Sequence, residues 1–103
     1  MSDVVITEAP DRERFELRVD GELAGVAEYR GGGVTRAFTH TEIHDGYEGQ
    51  GLGSTLIKAV LDDARATGHH VVPICPFVLA YLQRHPEELD LVEPHVRRAF
   101  KLA

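Results

Sequence analysis

The hydrophobic period of this chain changes across a short glycine-rich stretch, Glu48-Gly49-Gln50-Gly51-Leu52-Gly53, and that change limits the folds open to it. Before the stretch Phe15, Leu17 and Val19 alternate with Glu16 and Arg18, the period-two pattern of a half-buried strand. After it Leu56, Ile57, Val60, Leu61 and Ala64 share one helical face, while Lys58, Asp62, Asp63 and Arg65 lie outside it. Strands must therefore hand over to a helix at the glycines. A helix start preceded by glycines is also an anion site, because its first N–H groups lack internal partners and no Cβ bars a close approach.

The remaining punctuation orders the elements. Val4 to Thr7 is a short β-branched run, Asp20-Gly21-Glu22 is a hairpin turn, and Leu23 to Tyr29 resumes as a strand. Gly31-Gly32-Gly33 turns the chain again, and Val34 to Ile43 reads as a long strand rich in Thr and aromatics. Gly68 caps the helix, and Val71 to Cys75 follows as a buried strand. Pro76 opens a second helix running to about Arg84, where His85-Pro86 stops it. A strand–helix–strand crossover sets Val71 to Cys75 parallel to Val34 to Ile43. Pro73 cannot donate to a ladder and belongs at an edge or bulge. If the parallel strands part there, a cleft opens at the centre of the sheet beside the glycine loop. The expected fold is α/β: a mixed, mainly antiparallel twisted sheet with a splayed parallel central pair and helices packed on it.

Size and charge narrow the function. With 103 residues the chain, residues 1–103, is expected to form one domain with a single modest core. A formal charge of −6 argues against nucleic acid, and Arg97, Arg98 and Lys101 read as a solvated face of a last helix. Apolar runs are too short for a membrane span. Asp3, Glu8 and Asp11 interrupt any signal-like run, so a cytoplasmic location is expected, as a monomer or weak homodimer. One cysteine, Cys75, allows neither an internal disulfide nor a Cys-rich zinc site.

Several residues could carry chemistry. Gly49-x-Gly51-x-Gly53 lacks the spacing of a dinucleotide fingerprint, and no Gly-Lys-Ser/Thr ending makes it a P-loop. Cys75 stands ahead of a helix N-terminus, where a thiolate is favoured; it is either an apolar filler or a thiol within the site. His40, Glu42 and His44 alternate along one strand and share a face, as a polar half-exposed surface, a general base or a metal set. We expect no metal. His40-Thr41-Glu42 lacks the Pro-Cys-x-x-Cys partner that a zinc deaminase needs. His69 and His70 read as solvated loop, and Phe77 and Leu82 as core, with Phe77 within reach of a ligand's arm.

From Val34 to Pro86 the chain resembles the GNAT superfamily of acetyl-CoA-dependent N-acetyltransferases. The family's Gln/Arg-x-x-Gly-x-Gly/Ala pattern matches Glu48 to Gly53, with Glu48 departing where Gln or Arg is usual. The resemblance implies a CoA site formed by Ile43, His44, Glu48, Gly49, Gln50, Gly51, Leu52, Gly53 and Ser54, with main-chain N–H groups holding the pyrophosphate and pantetheine. Either Glu48 turns its carboxylate away and contributes only its N–H, the reading expected because the motif works mainly through backbone, or the affinity for CoA is reduced. Tyr81 matches the family's tyrosine that protonates the departing CoA thiolate, and Glu42, a neighbouring histidine or an activated water is left to take the amine proton. The family's usual glutamate earlier in this strand is absent, with Ala37 and Phe38 near its place. His40 to Ile43, Cys75-Pro76-Phe77, Tyr81 and His85-Pro86-Glu87 together resemble a small single-domain subgroup lacking the helix pair after the first strand. That implies an open acceptor side suited to a bulky amine, or completed by another chain. The resemblance thus implies acetyl transfer from acetyl-CoA to an amine, the alternative being a CoA-binding or interaction module with little transfer.

Overall fold

The computed structural model describes residues 3–102. Five strands form a single sheet in sequence order: β1 (Val4–Ala9), β2 (Arg14–Val19), β3 (Glu22–Arg30), β4 (Thr35–Ile43) and β5 (His70–Pro73). The first four pair antiparallel, and β5 joins β4 in parallel, as the long crossover through α1 (Leu52–Ala66) requires. Where the GNAT helix pair would follow β1, there is only a 3-10 turn at Pro10–Arg12.

The strand periods set the core. Phe15 and Leu17 of β2 and Phe38 of β4 turn inward against Leu56, Ile57, Val60, Leu61 and Ala64 of α1, the face expected from the sequence. Burying each of the larger side chains contributes about 1.5–3 kcal/mol. Gly68, with φ of +73°, ends α1: its N–H donates to Arg65 C=O and that of His69 to Ala64 C=O, satisfying two terminal carbonyls. His70 is not loop, however, because it opens β5 by donating its N–H to Val34 C=O at 2.7 Å.

α2 (Pro76–Arg84) follows β5, and Pro86–Leu91 forms a 3-10 segment leading to the short α3 (Pro94–Ala99). The 3-10 segment is clamped to α1 through Glu88, only 4% exposed. Glu88 accepts from Arg65 at 2.8 Å and lies 3.5 Å from Lys58 Nζ, while Asp90 takes the other side of the Arg65 guanidinium. Arg98 and Lys101 are exposed as expected, but Arg97 is partly covered and its Nε is buried without a hydrogen-bond partner among the described residues. A second polar cluster fastens β4 to α1. Arg36, 7% exposed, bonds Asp63 at 2.6 Å, and its guanidinium carbon lies 5.6 Å from the Phe15 ring centroid and 5.4 Å from that of Tyr29. Tyr29 donates to Glu8, and burial chiefly pushes its phenol up to about 12.

The parallel pair does part at Pro73, though at the edge of the sheet rather than its centre, since β5 is last in order. Ladder pairing runs only from Thr35–His70 to Phe38–Pro73. Beyond it β4 continues to Ile43 with β3 on one side and, among the described residues, no strand on the other. The expected strand to Cys75 is therefore shorter, and its last residues do something else.

Candidate functional site

Proline chemistry makes the fork. The N–H of Ile74 turns back to Val72 C=O at 3.1 Å, closing a three-residue turn with Pro73 at its centre, where a fixed φ suits the bend. Ile74 is thrown outward, 53% exposed, and the N–H of Cys75 takes the Phe38 carbonyl at 2.8 Å instead. Cys75 thus sits at the root of the fork, 4% exposed, its thiol donating to Thr41 Oγ1 at 3.5 Å.

The arm of β4 beyond the fork offers main-chain groups. His44 N–H donates to Ala24 C=O on β3 at 2.7 Å. Because strand polar groups alternate sides, the N–H groups of Ile43 and Thr41 face the opposite way, into the gap that β5 leaves. Gly25 seats Ile43 there, since a Cβ at Gly25 would stand 2.8 Å from Ile43 Cδ1 and 3.0 Å from the Glu42 carbonyl oxygen.

At the far end of the gap lies the start of α1. Thr55 is the first residue with an intrahelical bond, its N–H donating to Gly51 C=O at 3.1 Å, so the N–H groups of Leu52, Gly53 and Ser54 have no acceptor within the helix. No side chain caps this end, and no carboxylate occupies the first turn to compete for it. Gly49 and Gly51 reach it through left-handed φ of +77° and +74°, and a Cβ on either would project into open space. A cavity of about 340 Å³ opens here, lined by Ile43, Tyr47, Glu48, Gly49, Gly51, Leu52, Gly53, Ser54 and Phe77. Its walls are mostly apolar.

Most of the expected CoA residues are therefore gathered in one place, with two exceptions. Gln50 lies in the loop without lining the cavity, and the His44 ring sits with Nδ1 3.2 Å from Leu23 C=O. Glu48 lines the rim, but its carboxylate accepts the N–H of Gly46 at 3.1 Å within the same loop. Phe77, expected in the core, is 50% exposed and walls the cavity; it approaches Gly53 so closely that a Cβ there would lie 3.2 Å from its ring. Leu82 is core, as expected. Tyr47 was not anticipated: its hydroxyl donates to Glu22 at 3.1 Å, and only its place in the loop before the glycines hinted at a role.

The three residues expected to carry chemistry do not line the cavity. Cys75 is at the fork, where its N–H meets the Phe38 carbonyl. Tyr81 is one turn beyond Phe77 on α2, buried, its ring stacked on that of His85 with centroids 4.1 Å apart. Burial first, and then the charge of Glu88, raises the Tyr81 pKa and keeps the phenol protonated. Glu42 is on the outer face of β4, opposite Thr41 and Ile43, with its carboxylate 3.2 Å from His40 Nε2 and 3.9 Å from His44 Nε2. The alternation expected for this trio holds, yet among the described residues no group of three or more His, Cys, Asp or Glu is arranged to hold a metal ion. Nor is any helix among them long and apolar enough to cross a membrane.

Comparison with known proteins agrees with this geometry. A family model described as GCN5-related N-acetyl-transferase matches residues 14–91. The solution NMR structure of a GCN5-like protein from Staphylococcus aureus superposes with a TM-score of 0.68 at 24% identity, covering 90% of this chain and 91% of that one, a likeness of fold. No curated protein matches the chain.

Proposed function

Given that the chain belongs to the GCN5-related N-acetyltransferase family, we propose that it transfers an acetyl group from acetyl-CoA to an amine. The observation that carries this reading is the continuity of three features: a fork with free main-chain N–H groups on β4, an apolar cavity, and an uncapped helix start. Acetyl-CoA has the matching order of parts: a thioester, an apolar arm and a pyrophosphate. Residues of this chain fit each. Leu52, Gly53 and Ser54 N–H groups would hold the pyrophosphate, Phe77 and Ile43 would flank the arm, and the N–H groups of Thr41 and Ile43 would polarise the thioester carbonyl.

When bound, acetyl-CoA supplies an activated acyl carbon. The amine nitrogen forms a bond to that carbon as the carbon–sulfur bond breaks, and the departing thiolate takes the proton of the Tyr81 phenol. Held near pH 7 as the neutral phenol, Tyr81 has that proton to give. The amine proton goes to Glu42 or, through a water, to the same face. Glu42 stands on the side of β4 opposite the cavity, which supports an acceptor approaching from the open sheet face, unobstructed by the helix pair this chain lacks. Such openness suits a bulky amine, such as a protein lysine or N-terminus. The thiol hydrogen of Cys75 is already engaged by Thr41, which favours direct transfer over an acetyl-cysteine.

The test is calorimetric titration with acetyl-CoA joined to an assay of CoA thiol release against an amine panel, for the parent chain, Tyr81→Phe and Cys75→Ala. Direct transfer predicts binding by all three, with release lost in Tyr81→Phe and kept in Cys75→Ala. Binding without release from any amine would leave a CoA-binding module in place of an enzyme.

A further inference from the structure

One motif has no part in the transfer just described: His85-Pro86-Glu87. In the structure it closes on Tyr81. Pro86 starts the turn after α2, Glu88 N–H returns to His85 C=O at 2.9 Å, and this brings the Glu87 carboxylate to 3.1 Å from His85 Nδ1. The imidazole, fixed at that nitrogen, lies on the Tyr81 ring at a centroid distance of 4.1 Å and an interplanar angle of 24°.

We propose that His85, oriented by Glu87, is a positioning residue for Tyr81: its stacked ring fixes the plane of the phenol and so the direction in which the hydroxyl hydrogen is delivered. This rests on the assignment of Tyr81 as the proton donor. A phenol can turn about its Cβ–Cγ bond and swing at χ1, and proton delivery in the transition state depends on alignment. Tyr81 is buried in the same core cluster as Val78 and Leu82, its neighbours on α2. The charges acting on the phenol come from Lys58 and Asp62 of α1 and from Glu87 and Glu88 of the 3-10 segment. Their side chains bond to other partners, Lys58 to Asp62, Glu88 to Arg65 and Glu87 to His85, which leaves the stacked His85 ring as the directional contact we assign to Tyr81. The proton balance is simple: the phenol O–H bond breaks, an S–H bond forms on the departing thiolate, and water returns the proton to the phenolate. His85 exchanges no proton in this step.

The test compares His85→Ala, His85→Phe, Glu87→Gln and Tyr81→Phe in steady-state CoA release from acetyl-CoA, with spermidine and a lysine-containing peptide as acceptors. Circular dichroism melts establish that each variant is folded at the assay temperature. Positioning predicts that His85→Ala lowers kcat about tenfold with little change in the KM for acetyl-CoA, and that His85→Phe, which restores a flat ring, recovers most of it. In the residual turnover that Tyr81→Phe retains, His85→Ala should bring no further loss, because no proton is left to aim. In carbon-13 tyrosine spectra the Tyr81 ring signals should sharpen toward a fast-flipping average in His85→Ala alone. Loss of activity in Tyr81→Phe with wild-type kcat in His85→Ala would overturn the proposal while sparing the proton donor. Wild-type kcat in Tyr81→Phe would overturn the donor assignment and this proposal with it.

Discussion

Cys75 donates its main-chain N–H to the Phe38 carbonyl at 2.8 Å, in the place that Ile74 would hold in an unbroken parallel ladder. A shift of one residue converts an edge strand into one side of a fork. The cause is local and covalent: Pro73 fixes the φ that lets Ile74 N–H fold back on Val72 C=O, and the chain after it leaves β4. On the proposed reading the fork matters because it leaves the N–H groups on the open side of β4 to meet the thioester.

Replacing Pro73 by Ala should therefore affect binding more than stability. The missing N–H of residue 73 faces the outer edge, so its return satisfies no internal acceptor, and the cost in freedom of the unfolded chain is about 0.4–1 kcal/mol. Acetyl-CoA binding should weaken as Ile74 regains access to the ladder. Thermal melting and calorimetry on one preparation check both halves.

The glycines offer an internal control. Gly46 and Gly51 both hold positive φ, +92° and +74°, with open space at the Cβ position, but only Gly51 lines the cavity. Alanine at either should cost about 1–2 kcal/mol of stability through backbone strain alone. Only Gly51→Ala should also reduce acetyl-CoA affinity, by about tenfold, because its methyl group projects from the loop that approaches the phosphates. Equal binding by the two variants would detach the loop from the ligand.

Glu16 sets an acid limit on the sheet. Its carboxylate is held below the ordinary range by hydrogen bonds from Arg18 and then Arg14, at 2.9 and 2.8 Å, against the opposing effect of burial. A folded pKa below the unfolded one gives stability that is fully present above the ordinary carboxylate value of 4.5 and is lost as pH falls through the lower folded value. Glu16→Gln should thus flatten the fall in melting temperature below about pH 4.5.

Glu88 fastens the segment after α2 to α1, and removing its charge leaves the Arg65 and Lys58 cations facing a buried amide. Glu88→Gln should destabilise the fold by about 1–3 kcal/mol. Because Asp90 keeps its own bond to Arg65, hydrogen exchange should rise first at 86–91 and not in the sheet.

The strands, the helix face and its Gly68 cap were legible because each depends on local pattern: alternation, a helical stripe, a left-handed terminal residue. The fork was legible in kind from Pro73 alone. Its position at the sheet edge was not, because strand order depends on what lies beyond β5, about which the residues of β5 say nothing. The sequence places Phe77 in the core, since an aromatic in an amphipathic helix usually belongs there; the absence of a side chain at Gly53 opens the space its ring overhangs. Tyr47 is not legible in the sequence because its place on the cavity wall follows from the path of a loop, not from any period.

The most direct test of the account is a titration of the nitrogen-15-labelled protein with acetyl-CoA, followed by backbone amide NMR. Acetyl-CoA bound along the fork should give saturable shifts at Gly49, Gly51, Leu52, Gly53 and Ser54 together with Thr41 and Ile43, marking both ends of one ligand. Saturating acetyl-CoA with no shift at the start of α1, or with shifts there and none on β4, would contradict it.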